Sequence, residues 1–347
     1  MRKYMLPTGT ILLTVSITVL ATLFVEYSVK RIRSKTEKRR YRAIEENIPG
    51  IAERLYPLKI LQSGRLKQDS IKIFITGQQK MPEEIKNMIN AHKKDFEDSL
   101  GFYNGTIFGV SKINFDRIGE EETPRITIYG SPVTYFHFLV TNANVELRND
   151  LSEDEKAWLA NKTYGSEPQF PIPGFANPLS VEVLLLCDGG KRAVLTRRSG
   201  RTVFRGGRVG ASVMETVSPV LSEGASGTGE IDIFEVIKRG IKEELGVDRD
   251  EIQEDSIRIT SLAFDDEVYD YKFTAVATSL LSETELRQRF SIGISKDRYE
   301  NSELLFFDFP LTVDEIENSA ERFSPEAVAV LIMAQALFND RKNTERK

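Results

Sequence analysis

Cysteine is almost absent. Cys187 stands alone, which excludes an internal disulfide and fits a reducing compartment. Charge is missing altogether from residues 6–25, LPTGTILLTVSITVLATLFV. A helix of that length rises about 30 Å, the thickness of a bilayer's hydrocarbon core. Arg2 and Lys3 precede the run, whereas Lys30, Arg31, Arg33, Lys35, Lys38, Arg39, Arg40 and Arg42 follow it. By the positive-inside rule the C-terminal side stays cytosolic, giving one span with its N-terminus outside. A cleaved signal peptide is the alternative, because Val19-Leu20-Ala21 resembles a cleavage site. Against it, the apolar run continues past Ala21, and the basic residues beyond oppose export. The net charge of −5 hides this basic bunching; the rest of the chain has a globular composition.

Within the run, Thr10, Thr14, Thr18 and Thr22 recur every fourth residue and place their hydroxyls along one stripe of a helix. Such hydroxyls can bond back to the carbonyl four residues earlier. Alternatively they form a face for self-association, where small polar residues permit close approach.

The residues that follow divide into three parts. Residues 30–69 read as a basic juxtamembrane helix and linker, whose cations suit anionic lipid. Residues 70–178 read as an α/β extension, with a strand at IKIFIT (71–76) and a helix over 82–100. Strands are expected at 125–129 and at 134–140. From 179 to 340 the pattern sharpens. VEVLLLCDGGKRAVLTRR is a hairpin about Asp188-Gly189-Gly190, and a glycine-interrupted strand and a loop rich in glycine and serine follow. Next come a helix over 231–247, the strand pair IRITSLAF and YKFTAVATS, and a helix at 283–290. The strand ELLFFDF follows, and then a helix opened by Ser324-Pro325-Glu326. The expected fold is α+β, a mixed sheet packed between helices, preceded by one transmembrane helix over 1–29.

The helix IDIFEVIKRGIKEELGV carries Arg239, Gly240, Glu243 and Glu244 and closes on Gly246. Two adjacent carboxylates suggest a metal site, or else a solvated helix end with an ion pair to Arg239. With the preceding hairpin, this helix resembles the Nudix family, whose box is G-x5-E-x7-R-E-U-x-E-E-x-G-U with U bulky and aliphatic. Arg239, Ile241, Glu243, Glu244, Gly246 and Val247 fall on the box in register. The resemblance implies that Glu243 and Glu244 hold Mg²⁺, a hard ion suited to carboxylate and phosphate oxygen. It also implies a glutamate directly after the arginine, and Gly240 stands there instead. The box's first glutamate and glycine fall on Ile231 and Ala225, with Glu230, Asp232 and Gly224 one residue away. Asp265, Asp266 or Glu267 could replace the missing carboxylate from a later loop. A glycine inside a helix costs about 1 kcal/mol against alanine, so a close approach by a ligand or a neighbouring strand is expected at Gly240.

Lys191, Arg192, Arg197, Arg198, Arg201, Arg205 and Arg208 crowd the hairpin and the next strand. Arginine forks suit phosphate oxygens, so Arg198, Arg205, Arg208 and Arg239 are candidate ligand contacts. Tyr135, in TYFHFLVTN, is a candidate for stacking a base, unless that run is simply an aromatic core strand. His137 alone makes no metal site.

One span, a linker and a degenerate box together resemble the transmembrane Nudix effectors of bacterial anti-phage systems of the CBASS type. The resemblance implies an inner-membrane protein whose cytosolic domain binds a cyclic oligonucleotide. Its copies would then associate and disrupt the lipid bilayer, causing abortive infection. That role requires no cofactor, although Mg²⁺ is compatible with it, and implies no binding of nucleic-acid polymers. The alternative is a membrane-tethered, Mg²⁺-dependent hydrolase of nucleoside diphosphate-linked substrates. A third reading is a membrane scaffold that binds a protein and has no nucleotide affinity.

Overall fold

The computed structural model describes residues 58–77, 79–98, 104–118, 123–141, 152–155, 159, 171–200, 206–219, 229–265, 267–293, 300–311, 315–316 and 322–345. All belong to one compact unit, Leu55–Lys347. The run 6–25, its four threonines and the basic stretch behind it lie outside the described residues. Among the described residues no helix is long and apolar enough to cross a membrane.

The elements in chain order are β1 (Leu58–Leu66), β2 (Ile71–Ile75), α1 (Glu83–Asp98), β3 (Thr106–Ile118), β4 (Thr123–Thr134), α2 (Tyr135–Thr141), β5 (Leu179–Cys187), β6 (Arg192–Arg198), β7 (Val209–Gly210), β8 (Val213–Thr216), α3 (Ile233–Leu245), β9 (Arg258–Asp265), β10 (Asp270–Thr278), α4 (Glu283–Ile292), β11 (Asn301–Asp308) and α5 (Pro325–Glu345). The large sheet runs β1-β9-β10-β5-β6-β11, with β8 beside β5 and β7 beside β6; a second sheet runs β2-β4-β3. In the large sheet β10 and β5 are parallel and the other pairings antiparallel. The sheet is therefore mixed, as the sequence predicts.

Side chains alternate across a strand, so each face of the large sheet has its own partner. From β5, Leu179, Val181, Val183, Leu185 and Cys187 meet Ile233, Val236, Ile237, Ile241 and Leu245 of α3 in one core. Ile71 and Ile73 of β2 and Ile126 and Ile128 of β4 join the same core, so the 70–178 extension and the 179–340 part share an interior. A smaller core gathers α1, α2 and residues 172–176. The opposite face of the large sheet is covered by α5, which packs on β5, β10, β1 and β9. Residues 327–334 of α5 are buried at every position, as befits a helix enclosed on all sides.

Two expectations need correction. The linker placed over 30–69 includes β1, an edge strand of the large sheet paired with β9. Its sequence, LKILQSGRL, does not alternate cleanly, and its register shifts twice along β9. The strand expected at 134–140 is α2. Its first turn is held by one local and one distant acceptor: Thr134 Oγ1 takes the His137 N–H at 3.2 Å and Asn104 Oδ1 takes the Phe136 N–H at 2.9 Å. Those caps outweigh the strand preference of an aromatic, β-branched run. In addition, β3 was not legible in the sequence, because a register shift falls between Val110 and Lys112.

Under α5 the large sheet buries charge. Lys272 Nζ lies 2.7 Å from Asp270, 3.3 Å from Glu182 and 3.6 Å from Glu326, all with side chains at most 10% exposed. Ser180 donates to Asp270 at 3.0 Å. Burial favours the neutral form of Glu182 and pushes it up to about 7 from 4.5, against the pull of Lys272 and Arg198. Asp270 is raised by the same cause. Between pH 4.5 and about 7 the folded chain keeps a proton on Glu182 that the unfolded chain has released. Stability from this group is therefore complete at acid pH and is lost as pH rises through about 7. The urea midpoint should fall between about pH 5 and about pH 8, less steeply in Glu182→Gln; a midpoint that rises across that window would show the carboxylates to be ionised in the fold. Lys272→Met leaves the carboxylates without their cation and should cost about 3–5 kcal/mol near neutral pH, measured by the same titration. The cost should shrink in acid as those carboxylates take up protons.

Candidate functional site

Helix α3 forms where its sequence prescribes. Asp232 caps it by accepting the Phe234 N–H at 2.9 Å, and Gly246 ends it in the left-handed region at φ 68°. The buried positions are Ile233, Val236, Ile237, Gly240, Ile241, Glu244 and Leu245. These follow the three- and four-residue spacing of a core-facing stripe. Gly240 and Glu244 thus lie on the inward face, whereas Arg239 and Glu243 lie at its margin.

Gly240 packs against β8. A Cβ built on it would stand 2.8 Å from Val213 Cγ1 and 3.1 Å from Glu215 Cβ, too near for either to stay where it is. The close approach expected from the sequence is made by this neighbouring strand. Glu215 occupies the space beside the helix that a side chain at residue 240 would enter, and its carboxylate accepts from Arg239 Nη2 at 2.8 Å. The arginine thus holds a carboxylate that comes from β8 and not from its own helix.

Glu244 joins the helix to two strands. One oxygen accepts the Met214 N–H at 2.9 Å and the other accepts Asn301 Nδ2 at 3.1 Å. Only 4% of the residue is exposed. Burial drives its carboxyl well above the usual range, with Glu300 and Glu215 adding to the shift and the Met214 N–H opposing it. Glu243 Oε2 lies 3.8 Å from Arg239 Nε, so the helix-end ion pair is present.

As placed here, these carboxylates do not fit a magnesium ion. Both oxygens of Glu244 are bonded within the protein, and Glu243 and Glu215 face Arg239. Among the described residues no three His, Cys, Asp or Glu side chains gather to hold a metal. Asp265, considered as a replacement acid, is elsewhere. It lies opposite Asp270 in the β9–β10 register, on the α5 face of the sheet, and accepts the Glu267 N–H at 3.0 Å. Asp266 lies outside the described residues.

The candidate ligand contacts do not converge. Met214 and Glu215 are neighbours on β8 and point to opposite faces. Arg239 meets Glu215 on the helix face, whereas Arg198 Nη1 lies 3.1 Å from Met214 Sδ on the other. Arg198 also favours ionisation of Glu182, so it belongs with the network under α5. Arg208 is exposed beside Gly207, and its carbonyl accepts the Arg198 N–H at 2.9 Å. Tyr135 is half-buried against the smaller core, 5.7 Å from the Phe138 ring, and is not part of the α3 site. Arg205 lies outside the described residues. Glu215, Glu300 and Asn301 were not singled out from the sequence. The one signal for Glu215 was its position in the glycine-interrupted strand before the helix.

No protein-family model matches the sequence, and no curated protein matches it. Solved structures do. The chain is similar to DR0079 from Deinococcus radiodurans, at 15% identity over 44% of this chain and 80% of that one, with a TM-score of 0.31. It is similar to the MutT protein from Methanosarcina mazei Go1, at 16% identity over 48% and 94%, with a TM-score of 0.30. The Nudix domain of Shewanella oneidensis NrtR, complexed with ADP ribose, matches at 11% identity over 54% and 99%, with a TM-score of 0.31. Likeness at this level assigns neither activity nor ligand to this chain.

The contact at Gly240 gives a sign that helix propensity alone gets wrong. Alanine would gain about 1 kcal/mol in an open helix, but here its methyl group meets Val213, and overpacking costs about 1–3 kcal/mol. Gly240→Ala should therefore destabilise the fold, and Val213→Ala in the same chain should recover part of the loss. Independent, additive effects in that double-mutant cycle would exclude the contact.

Proposed function

We propose that this chain is a membrane-anchored sensor whose cytosolic part binds a cyclic oligonucleotide and returns it uncut. The observation that carries the reading is the bonding of Glu244. In a hydrolytic box this carboxylate serves the metal, but here it ties α3 to β8 and β11 through the Met214 N–H and Asn301. Gly240, at the box position directly after the arginine, makes the same joint tighter. In this reading the charge-free run 6–25 holds the protein in a bacterial inner membrane with its N-terminus outside. Ligand binding drives copies together, and the spans then break the bilayer and abort infection. Arg205 and the exposed Arg208 are the phosphate contacts, Mg²⁺ has no required part, and polymeric nucleic acid is not a ligand.

Hydrolysis of a nucleoside diphosphate-linked substrate is the second reading, and Glu215 favours it. Its carboxylate is 17% exposed and oriented by Arg239, the relation a general base needs.

Full-length protein in detergent, mixed with a panel of cyclic oligonucleotides and nucleoside diphosphate conjugates, separates the two readings by chromatography of the bound and free fractions. Sensing predicts a cyclic oligonucleotide retained and recovered intact, with affinity lowered about tenfold or more in Arg208→Glu through loss of a charge-assisted hydrogen bond. Steady conversion to monophosphates, abolished by Glu215→Gln, would establish the hydrolase instead. Retention of no nucleotide at all would leave the scaffold.

A further inference from the structure

Among the described residues, strand β3 leaves an edge open. Its first half is covered: the Phe108 N–H reaches Val217 O and the Val110 N–H reaches Asn177 O, both at 2.8 Å. Beyond the register shift, residues 112–116 pair with β4 on one side. Among the described residues no backbone group bonds to their other side. Open edges are templates for pairing with another chain.

The side chains along this edge are self-complementary. Ile113 and Phe115 share the face directed at the main core, opposite Ile128 and Ile126 of β4. Ile113 packs on that core, whereas Phe115 is 46% exposed, a rare degree for a large apolar side chain among the described residues. Lys112, Asn114 and Asp116 share the other face. Consider a second copy laid antiparallel along this edge about a two-fold axis through Asn114. Lys112 of each copy then opposes Asp116 of the other, so the charge pair forms twice. Ile113 of each copy opposes Phe115 of the other, which extends the apolar face across the join. Opposite charges and apolar pairs directly across a ladder are favourable, and a two-fold axis requires a surface that complements itself.

We propose that the β3 edges of two copies pair in this register, joining two three-stranded sheets into one of six strands. The proposal is independent of what the α3 site binds. The occupant is a second copy because the order lysine, asparagine, aspartate matches itself when reversed; an unrelated strand would have no reason to carry that order.

The register can be tested by crosslinking the full chain. Opposed residues of an antiparallel pair have Cα atoms about 4.5–5.5 Å apart, within disulfide range. Native Cys187 is fully buried and offers no competing thiol. Asn114→Cys should form a covalent dimer on mild oxidation, whereas Lys112→Cys, whose two copies lie far from each other across the axis, should not. Adding Asp116→Lys to Asn114→Cys should reduce the crosslinked fraction several-fold, and further adding Lys112→Asp should restore it. Equal crosslinking of Asn114→Cys and Lys112→Cys, or none of either, would overturn the proposal. So would a charge swap that fails to restore the dimer.

Discussion

Gly240 has no Cβ, and for that reason helix α3 lies closer to β8 than any other residue would permit. Val213 and Glu215 fill the space that a side chain at 240 would occupy. From this approach the rest of the site follows. With the strand so near, Glu244, one turn along the same stripe, reaches the Met214 N–H, and Asn301 on β11 closes the bond from the other side. Arg239, at the margin of the stripe, meets Glu215 instead of a carboxylate on its own helix. A helix whose charged end resembles a solvent-facing metal box is thereby turned into a joint between strands.

The energetic logic of that joint differs from that of a metal site. A carboxylate that binds a cation gives up its proton on binding and needs an oxygen that no protein donor occupies. Glu244 is buried, accepts two hydrogen bonds and is held toward its neutral form, which is the state that burial favours when no cation is adjacent. The network under α5 applies the same rule on the other face. There Lys272 compensates part of the charge on Glu182, Asp270 and Glu326. Breaking such a group is costly even where its net contribution to stability is small. Both faces of β5 and its neighbours therefore carry buried acids, and in each case a strand residue supplies the partner.

Much of the fold was legible because local signals agreed. The hairpin turn at Asp188–Gly190, the Ser324 cap and the Gly246 stop each lie where turn and cap chemistry place them. What failed to show in the sequence depended on contacts distant along the chain. The strand β1 has a mixed pattern and is defined by pairing with β9, about two hundred residues later. The short helix α2 has a strand-like composition, and Asn104, some thirty residues earlier, helps to cap it. At the site, the arginines looked like one cluster because they are close in sequence. Arg198 and Arg239, both read as ligand contacts, are in fact divided by the alternation of β8: Arg198 lies with Met214 on one face and Arg239 with Glu215 on the other. The buried stripe of α3 was readable and would have placed Gly240 and Glu244 inward. The box pattern drew attention to their charge and spacing instead.

A family pattern and a packing pattern make different demands on the same residues. The box specifies which residue types occur and at what spacing; packing decides whether their polar atoms remain available. Here Arg239, Glu243 and Glu244 satisfy the spacing, while the bonds to Glu215, Met214 and Asn301 use much of their capacity. Glu215, which the box does not contain, is the strand acid that Arg239 holds, 17% exposed beside 24% for Glu243. A ligand that meets this site meets an arginine-bound acid on a strand beside a closely packed helix. The chemistry of the site therefore turns on one ion pair between α3 and β8, an arrangement made possible by the close approach at Gly240.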